Sequence, residues 1–180
     1  MLLMFAAVNR KRREREAPYV PTGVFLAGYV IVWAAFSLAA TTGNWGLHQA
    51  SLLSSMMGAS TSGYLGGALL LVAGVFQWSP LKYACLTQCR TPMGFLMTSW
   101  RDGPRGALRM GLEHGAYCLG CCWALMLLLF VLGIMNLVWI AALAAFVLAE
   151  KVAPKGEWVS RATGVLMVGW GAWAIVNAAM

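Results

Sequence analysis

Residues 113–132 read EHGAYCLGCCWALMLLLFVL, and this stretch decides the fold class. After Glu113 it contains no Asp, Glu, Lys or Arg. A helix needs about 20 mostly apolar residues to cross the hydrocarbon of a bilayer, and this run has that length. The stretch therefore predicts a membrane-spanning helix.

The whole chain has the composition of a membrane protein. Of its 180 residues, 61% are hydrophobic and 11% are charged, and the mean hydropathy is +0.71. Soluble proteins have roughly 45–50% apolar and about 25% charged residues. So few charges cannot cover a water-facing surface, which excludes a soluble globular protein. The predicted fold class is all-α, an integral membrane helical bundle that forms one domain over residues 1–180.

The hydropathy pattern predicts about five transmembrane helices. They cover residues 21–42, 63–79, 113–132, 137–151 and 162–180. The fourth is short for a bilayer about 30 Å thick, and Asn136 is expected to cap its start. The apolar residues 1–8 are too few to span, so they predict a short interfacial segment ahead of a basic N-terminal segment, 9–20.

The positions of the basic residues predict the orientation. All thirteen Lys and Arg residues fall within residues 10–15, 82–109 and 151–161. A cytoplasmic N-terminus places these three segments on the cytoplasmic side, as the positive-inside rule requires. The same confinement argues against nucleic acid as a partner, despite a net charge of +7. We expect a multi-pass protein of the inner (plasma) membrane, with the lipid bilayer as its first partner.

A cluster of cysteine and histidine residues follows the second predicted span. Cys85 and Cys89 are one helical turn apart, and the third span carries a stripe of Cys and His side chains about 100° wide. Both groups lie at the predicted cytoplasmic edge, so a loop that folds back would bring them together. The predicted metal ligands are Cys85, Cys89, His114, Cys118, Cys121 and Cys122.

Thiolate and imidazole donors determine which metals the cluster suits. Soft thiolates select Cu(I), Zn(II) or an iron–sulfur cluster. A closed zinc site takes four Cys or His ligands, whereas Cu(I) is satisfied by two or three. We therefore expect the cluster to bind a copper or zinc ion, with copper slightly favoured. The expected role is metal acquisition, delivery or transport. A metal-delivery protein is then a further expected partner. Supporting residues are Glu113 and Met126 as extra donors, and Lys82 and Arg90 as cations that favour thiolates.

Other interpretations of the same residues stay open. Cysteines are often buried as small hydrophobic residues. A thiol redox protein is a second hypothesis, with either Cys85 and Cys89 or a cross-helix pair as the redox cysteines, although a reducing cytoplasm disfavours stable disulfides. An accessory subunit of a membrane complex, with a structural metal site, is a third. The sequence has no hydrolase, kinase or dinucleotide-binding motif, so no enzyme is predicted. Glu150 is expected to pair with Lys151 or an arginine.

An ordered set of motifs covers most of the chain from about Tyr19 onward. The set comprises Gln77-Trp78-Ser79-Pro80-Leu81-Lys82, Cys85-x-x-x-Cys89-Arg90, Pro92, Trp100-Arg101, Gly106-Ala107-x-Arg109-x-Gly111, His114-Gly115-x-x-Cys118-x-Gly120-Cys121-Cys122-Trp123, Met135-Asn136-Leu137 and Glu150-Lys151. In these motifs the chain resembles the bacterial family of predicted metal-binding integral membrane proteins, a domain of unknown function. The resemblance implies metal binding and specifies neither the metal nor a reaction.

Overall fold

A computed structural model describes residues 2–14, 20–54, 59–153 and 156–180. These residues form helices, turns and one isolated β-bridge, between Leu53 and Ser60, which confirms the all-α prediction. Parts of the predicted basic segment (15–19), of the loop after the first span (55–58) and of the last basic segment (154–155) lie outside the described residues. The helices are α1 (Leu2–Arg13), α2 (Thr22–Gln49), α3 (Gly63–Phe76), α4 (Pro80–Arg90), α5 (Pro92–Thr98), α6 (Gly103–Leu127), α7 (Leu129–Leu132), α8 (Leu137–Val152) and α9 (Gly156–Ala179).

Three to four spans in the described chain are long and apolar enough to cross a membrane. Three are α2, α9 and the stretch Gly103–Leu132 that α6 and α7 form together. The fourth is α3 with α4, which qualify only as a pair and meet at a bend of 66°. Helix α8 has 16 residues, fewer than a typical span requires. The count of five is therefore not confirmed and stays a prediction.

Several helices extend beyond their predicted bounds. Helix α2 continues to Gln49 instead of ending near residue 42, α6 begins at Gly103 instead of Glu113, and α9 begins at Gly156 instead of residue 162. Hydropathy detects only the apolar part of a helix, whereas the backbone hydrogen bonding continues into polar flanks. In α6 the flank is favoured by Pro104 in the first turn, where its missing N–H costs nothing.

The chain divides into two compact units. The first consists of residues 1–38 and 84–120, and its core contains Phe5, Val20, Phe25, Phe95, Leu96, Ala107 and Met110. In this unit α2 and α6 cross at two glycines. A Cβ on Gly28 would lie 2.5 Å from the Leu108 carbonyl oxygen, and one on Gly111 would overlap the carbonyl oxygen of Phe25. This contact between backbones fixes the side chains of α2 against those of α6.

The second unit consists of residues 39–83 and 121–180. Here α3 and α9 approach closely, because small residues at the contact let two helix backbones come together. A Cβ on Gly67 would lie 2.8 Å from the Gly171 carbonyl oxygen, and one on Gly74 would lie 3.0 Å from that of Gly164. The unit's core contains Ala73, Ala124, Leu125, Leu128 and Leu143.

Candidate metal centre

The predicted ligands lie on two helices and belong to both units. Helix α4 carries Cys85 and Cys89, and α6 carries the other four. The first unit contains Cys85, Cys89, His114 and Cys118, and the second contains Cys121 and Cys122. No disulfide joins the five cysteines, all of which are described.

His114 is enclosed by aromatic rings of the first unit. Its ring centroid lies 6.3 Å from that of Phe25, 6.1 Å from that of Tyr29 and 5.3 Å from that of Phe95. Only 6% of the residue is exposed. We call these three rings, Phe25, Tyr29 and Phe95, the aromatic box. They pack around the imidazole and leave little of it exposed.

Cys118 lies one turn further along α6 and contacts a tyrosine that the sequence analysis missed. The Tyr29 hydroxyl lies 3.5 Å from the Cys118 Sγ atom, within hydrogen-bonding distance for sulfur. Tyr29 also contacts His114, so one α2 side chain touches both donors. The available sequence signal was an aromatic residue at every fourth position of α2, namely Phe25, Tyr29 and Trp33.

Cys85 brings α4 against α6. Only 7% of the residue is exposed, and a Cβ on Gly120 would lie 2.7 Å from its Sγ atom. Because Gly120 has no side chain, the Cys85 sulfur packs directly against the backbone of α6, two residues after Cys118. The first unit thus places a thiol of α4 beside the part of α6 that carries the predicted ligands. Cys89, one turn further along α4, is half-buried.

The two remaining cysteines, Cys121 and Cys122, are each 2% exposed in the second unit. Within residues 2–14, 20–54, 59–153 and 156–180, no three Cys, His, Asp or Glu side chains form a group that could hold one ion. A single site built from all six predicted ligands therefore stays a prediction.

The residues predicted to support the cluster have other contacts. The Glu113 carboxylate accepts a hydrogen bond of 2.9 Å from Arg109 Nε and lies 3.6 Å from Arg101. Arg90 ends α4, and Met126 is half-buried in the second unit. Two arginines thus already balance the charge of Glu113 at the surface.

Lys82 lies in a fully buried polar cluster of the second unit. Its ammonium donates to both Glu150 oxygens, at 2.7 and 2.9 Å, and to the Gln77 side-chain oxygen. Ser160 Oγ donates to Glu150 at 2.6 Å. Each of these four residues is at most 2% exposed. We call them the Lys82 cluster. The expected partner of Glu150 was therefore wrong, because a carboxylate this deeply buried needs a cation buried with it.

Comparison with known proteins identifies a family. No curated protein and no solved structure matches the chain. A family model described as "PpoB2: Copper chaperone" matches residues 1–174, which include every predicted ligand and the whole aromatic box. This chain belongs to the PpoB2 family of copper chaperones.

Proposed function

We propose that this protein is a membrane copper chaperone that binds Cu(I) through cysteine and histidine side chains and passes the ion on by ligand exchange. The observation that carries the proposal is the pair His114 and Cys118. Both side chains are buried, one turn apart on α6, and both touch Tyr29. The description of the family as copper chaperones favours copper over zinc as the cargo.

The donors of the first unit suit Cu(I). Thiolate and imidazole are soft ligands, and Cu(I) is stable with only two or three of them. A Cu(I) ion bound by one thiolate and one neutral imidazole has no net charge, so its burial carries little desolvation cost. Cys85, which rests on Gly120, supplies a further thiol near the same part of α6.

The membrane setting rests on the apolar helices and on the basic segments. Three to four stretches are long and apolar enough to span a bilayer. With the five spans predicted from the sequence, a cytoplasmic N-terminus places all three basic segments on one side. In this topology the ligand-bearing ends of α4 and α6 face the cytoplasmic edge of the inner membrane. The copper would then pass to a protein partner by exchange of one thiolate for another.

The test is Cu(I) binding by the purified, reduced protein, measured by competition with a coloured Cu(I) chelator. His114→Gln/Cys118→Ser should weaken binding by more than about tenfold, since even outer-shell substitutions cost 10–100-fold in metal affinity. His48→Gln is the matched control, because His48 is the only other histidine in the sequence.

Equal affinity in the double variant and the wild type would refute the proposal. Counting thiols before and after reduction tests the redox alternative. A reversible disulfide in a protein that binds no copper would favour that alternative.

A further inference from the structure

Three soft donors follow one another on a single face of α6. Met110, His114 and Cys118 are spaced four residues apart and are 0%, 6% and 7% exposed. In an α-helix each such step advances about 6 Å and rotates about 40°, so the three side chains leave the helix within an arc of about 80°.

Met110 shares its surroundings with His114. Its side chain belongs to the buried cluster that contains Phe25 and Phe95. Both rings lie beside the His114 imidazole: Phe25 stacks on it with ring centroids 6.3 Å apart, and Phe95 is tilted against it with centroids 5.3 Å apart. The thioether therefore belongs to the same buried cluster as two rings of the aromatic box, while Tyr29 links the imidazole to the Cys118 thiol.

We propose that Met110, His114 and Cys118 form a ladder of two Cu(I) stations that share His114. Met110 and Cys118 lie about 12 Å apart along the helix axis, too far to bind one ion together. His114 is one turn from each, so the first station is Met110 with His114 and the second is His114 with Cys118. The ladder rests on the proposed function and specifies the path of the ion in it.

The charges of the donors give the ladder a direction. At the first station both ligands are neutral, so the complex keeps the positive charge of Cu(I). The faces of aromatic rings stabilise a cation through their quadrupoles. At the second station the Cys118 thiolate cancels the charge, and a neutral complex is favoured where water is excluded. Copper therefore moves from Met110 towards Cys118.

The transfer is a ligand exchange without oxidation or reduction. The bond from copper to the Met110 sulfur breaks, the bond to the Cys118 sulfur forms, and His114 stays bound throughout. The thiol proton is released to the bulk solvent outside the buried station, as thiols release protons on binding a metal, and copper remains Cu(I). The Tyr29 hydroxyl, 3.5 Å from the sulfur, then donates its hydrogen bond to the thiolate.

Methionine methyl groups report on the ladder directly. In protein labelled with ¹³C at the methionine methyl carbons, the Met110 resonance is assigned from its loss in Met110→Leu. Leucine has nearly the volume of methionine, so the fold should tolerate the change. We expect the Met110 methyl signal to shift when Cu(I) is added, and to shift further in Cys118→Ser, where copper stays at the first station. The Met167 methyl, in the second unit, is the control and should not move.

Uptake kinetics give a second measurement. Met110→Leu should slow Cu(I) uptake from the chelator about tenfold, equivalent to about 1.4 kcal/mol, whereas Met167→Leu should leave it unchanged. If the protein binds copper but the Met110 signal stays fixed in both wild type and Cys118→Ser, the ladder is wrong and the proposed function stands. If His114→Gln/Cys118→Ser binds copper as tightly as wild type, the proposed function fails, and the ladder fails with it.

Discussion

Substituting Lys82 by methionine removes the only cation of the Lys82 cluster. The ammonium group satisfies both oxygens of Glu150 and the side-chain oxygen of Gln77. After Lys82→Met, the buried carboxylate keeps Ser160 as its donor within the cluster, 2.6 Å away. The side chain of Glu150 is only 2% exposed, so water cannot replace the lost partner.

Burial sets the size of the effect. Breaking a buried ion pair by removing one partner costs about 3–5 kcal/mol, because the other charge is left uncompensated. For a chain of this size that corresponds to a fall in the melting temperature of roughly 6–20 °C. The double variant Lys82→Met/Glu150→Gln removes both charges. It leaves the Gln77 side-chain oxygen without the donor that Lys82 supplied, which lowers the free energy of unfolding by about 1–3 kcal/mol. The double variant should therefore be more stable than Lys82→Met alone.

The assay is thermal unfolding of the protein in detergent, followed by tryptophan fluorescence. The pair Arg109 and Glu113 provides the control, since its atoms are also 2.9 Å apart but the arginine side chain is 63% exposed. Arg109→Gln should cost less than about 1 kcal/mol. The reasoning is refuted if Lys82→Met costs no more than Arg109→Gln, or if the double variant loses as much stability as both single variants added together.

Three further predictions concern the first unit and the start of α8. Gly111→Ala should weaken copper binding and lower the melting temperature, because its Cβ would overlap the Phe25 carbonyl oxygen and separate α2 from α6; unchanged values in both measurements would contradict this. Tyr29→Phe keeps the ring but loses the hydrogen bond to Cys118, so Cu(I) affinity should fall about twofold to thirteenfold, the effect of a bond worth about 0.5–1.5 kcal/mol. In a chelator competition, affinity equal to wild type would exclude this role for the hydroxyl. Asn136→Ala should cost about 1 kcal/mol in thermal unfolding, because the Asn136 side chain accepts the amide of the second α8 residue, whereas Asn136→Ser should retain most of the stability.

Local sequence signals predicted the ends of a helix well where a capping residue or an abrupt change from apolar to polar residues marks them. Asn136 caps α8 as expected, and α8 ends at Val152, one residue from its predicted end. Where a helix passes from apolar to polar residues, hydropathy changes but hydrogen bonding does not. That is why the start of α6 at Gly103 was missed.

The features of the candidate site also divide into those that the sequence predicts and those that depend on tertiary structure. The alignment of His114 with Cys118 follows from helical periodicity alone, so the sequence was sufficient to predict it. The contact of Tyr29 with Cys118 depends on where two glycines let α2 and α6 cross, which is a property of the tertiary structure. The partner of Glu150 was unpredictable for the same reason, since Lys82 lies 68 residues away in the sequence.

The separation of 68 residues between Lys82 and Glu150 has a consequence for the order in which the protein folds during synthesis. Ribosomes add about 5–20 residues per second, so Lys82 is synthesised roughly 3–14 s before Glu150 exists. Throughout this interval the ammonium has no carboxylate to neutralise it in the cluster and must stay hydrated. Ser160 follows Glu150 by a further ten residues. The end of α3 and the start of α4 can therefore close around Lys82 only after α8 and the start of α9 have been made, and a nascent chain stopped before Glu150 should leave Lys82 open to amine-reactive labels.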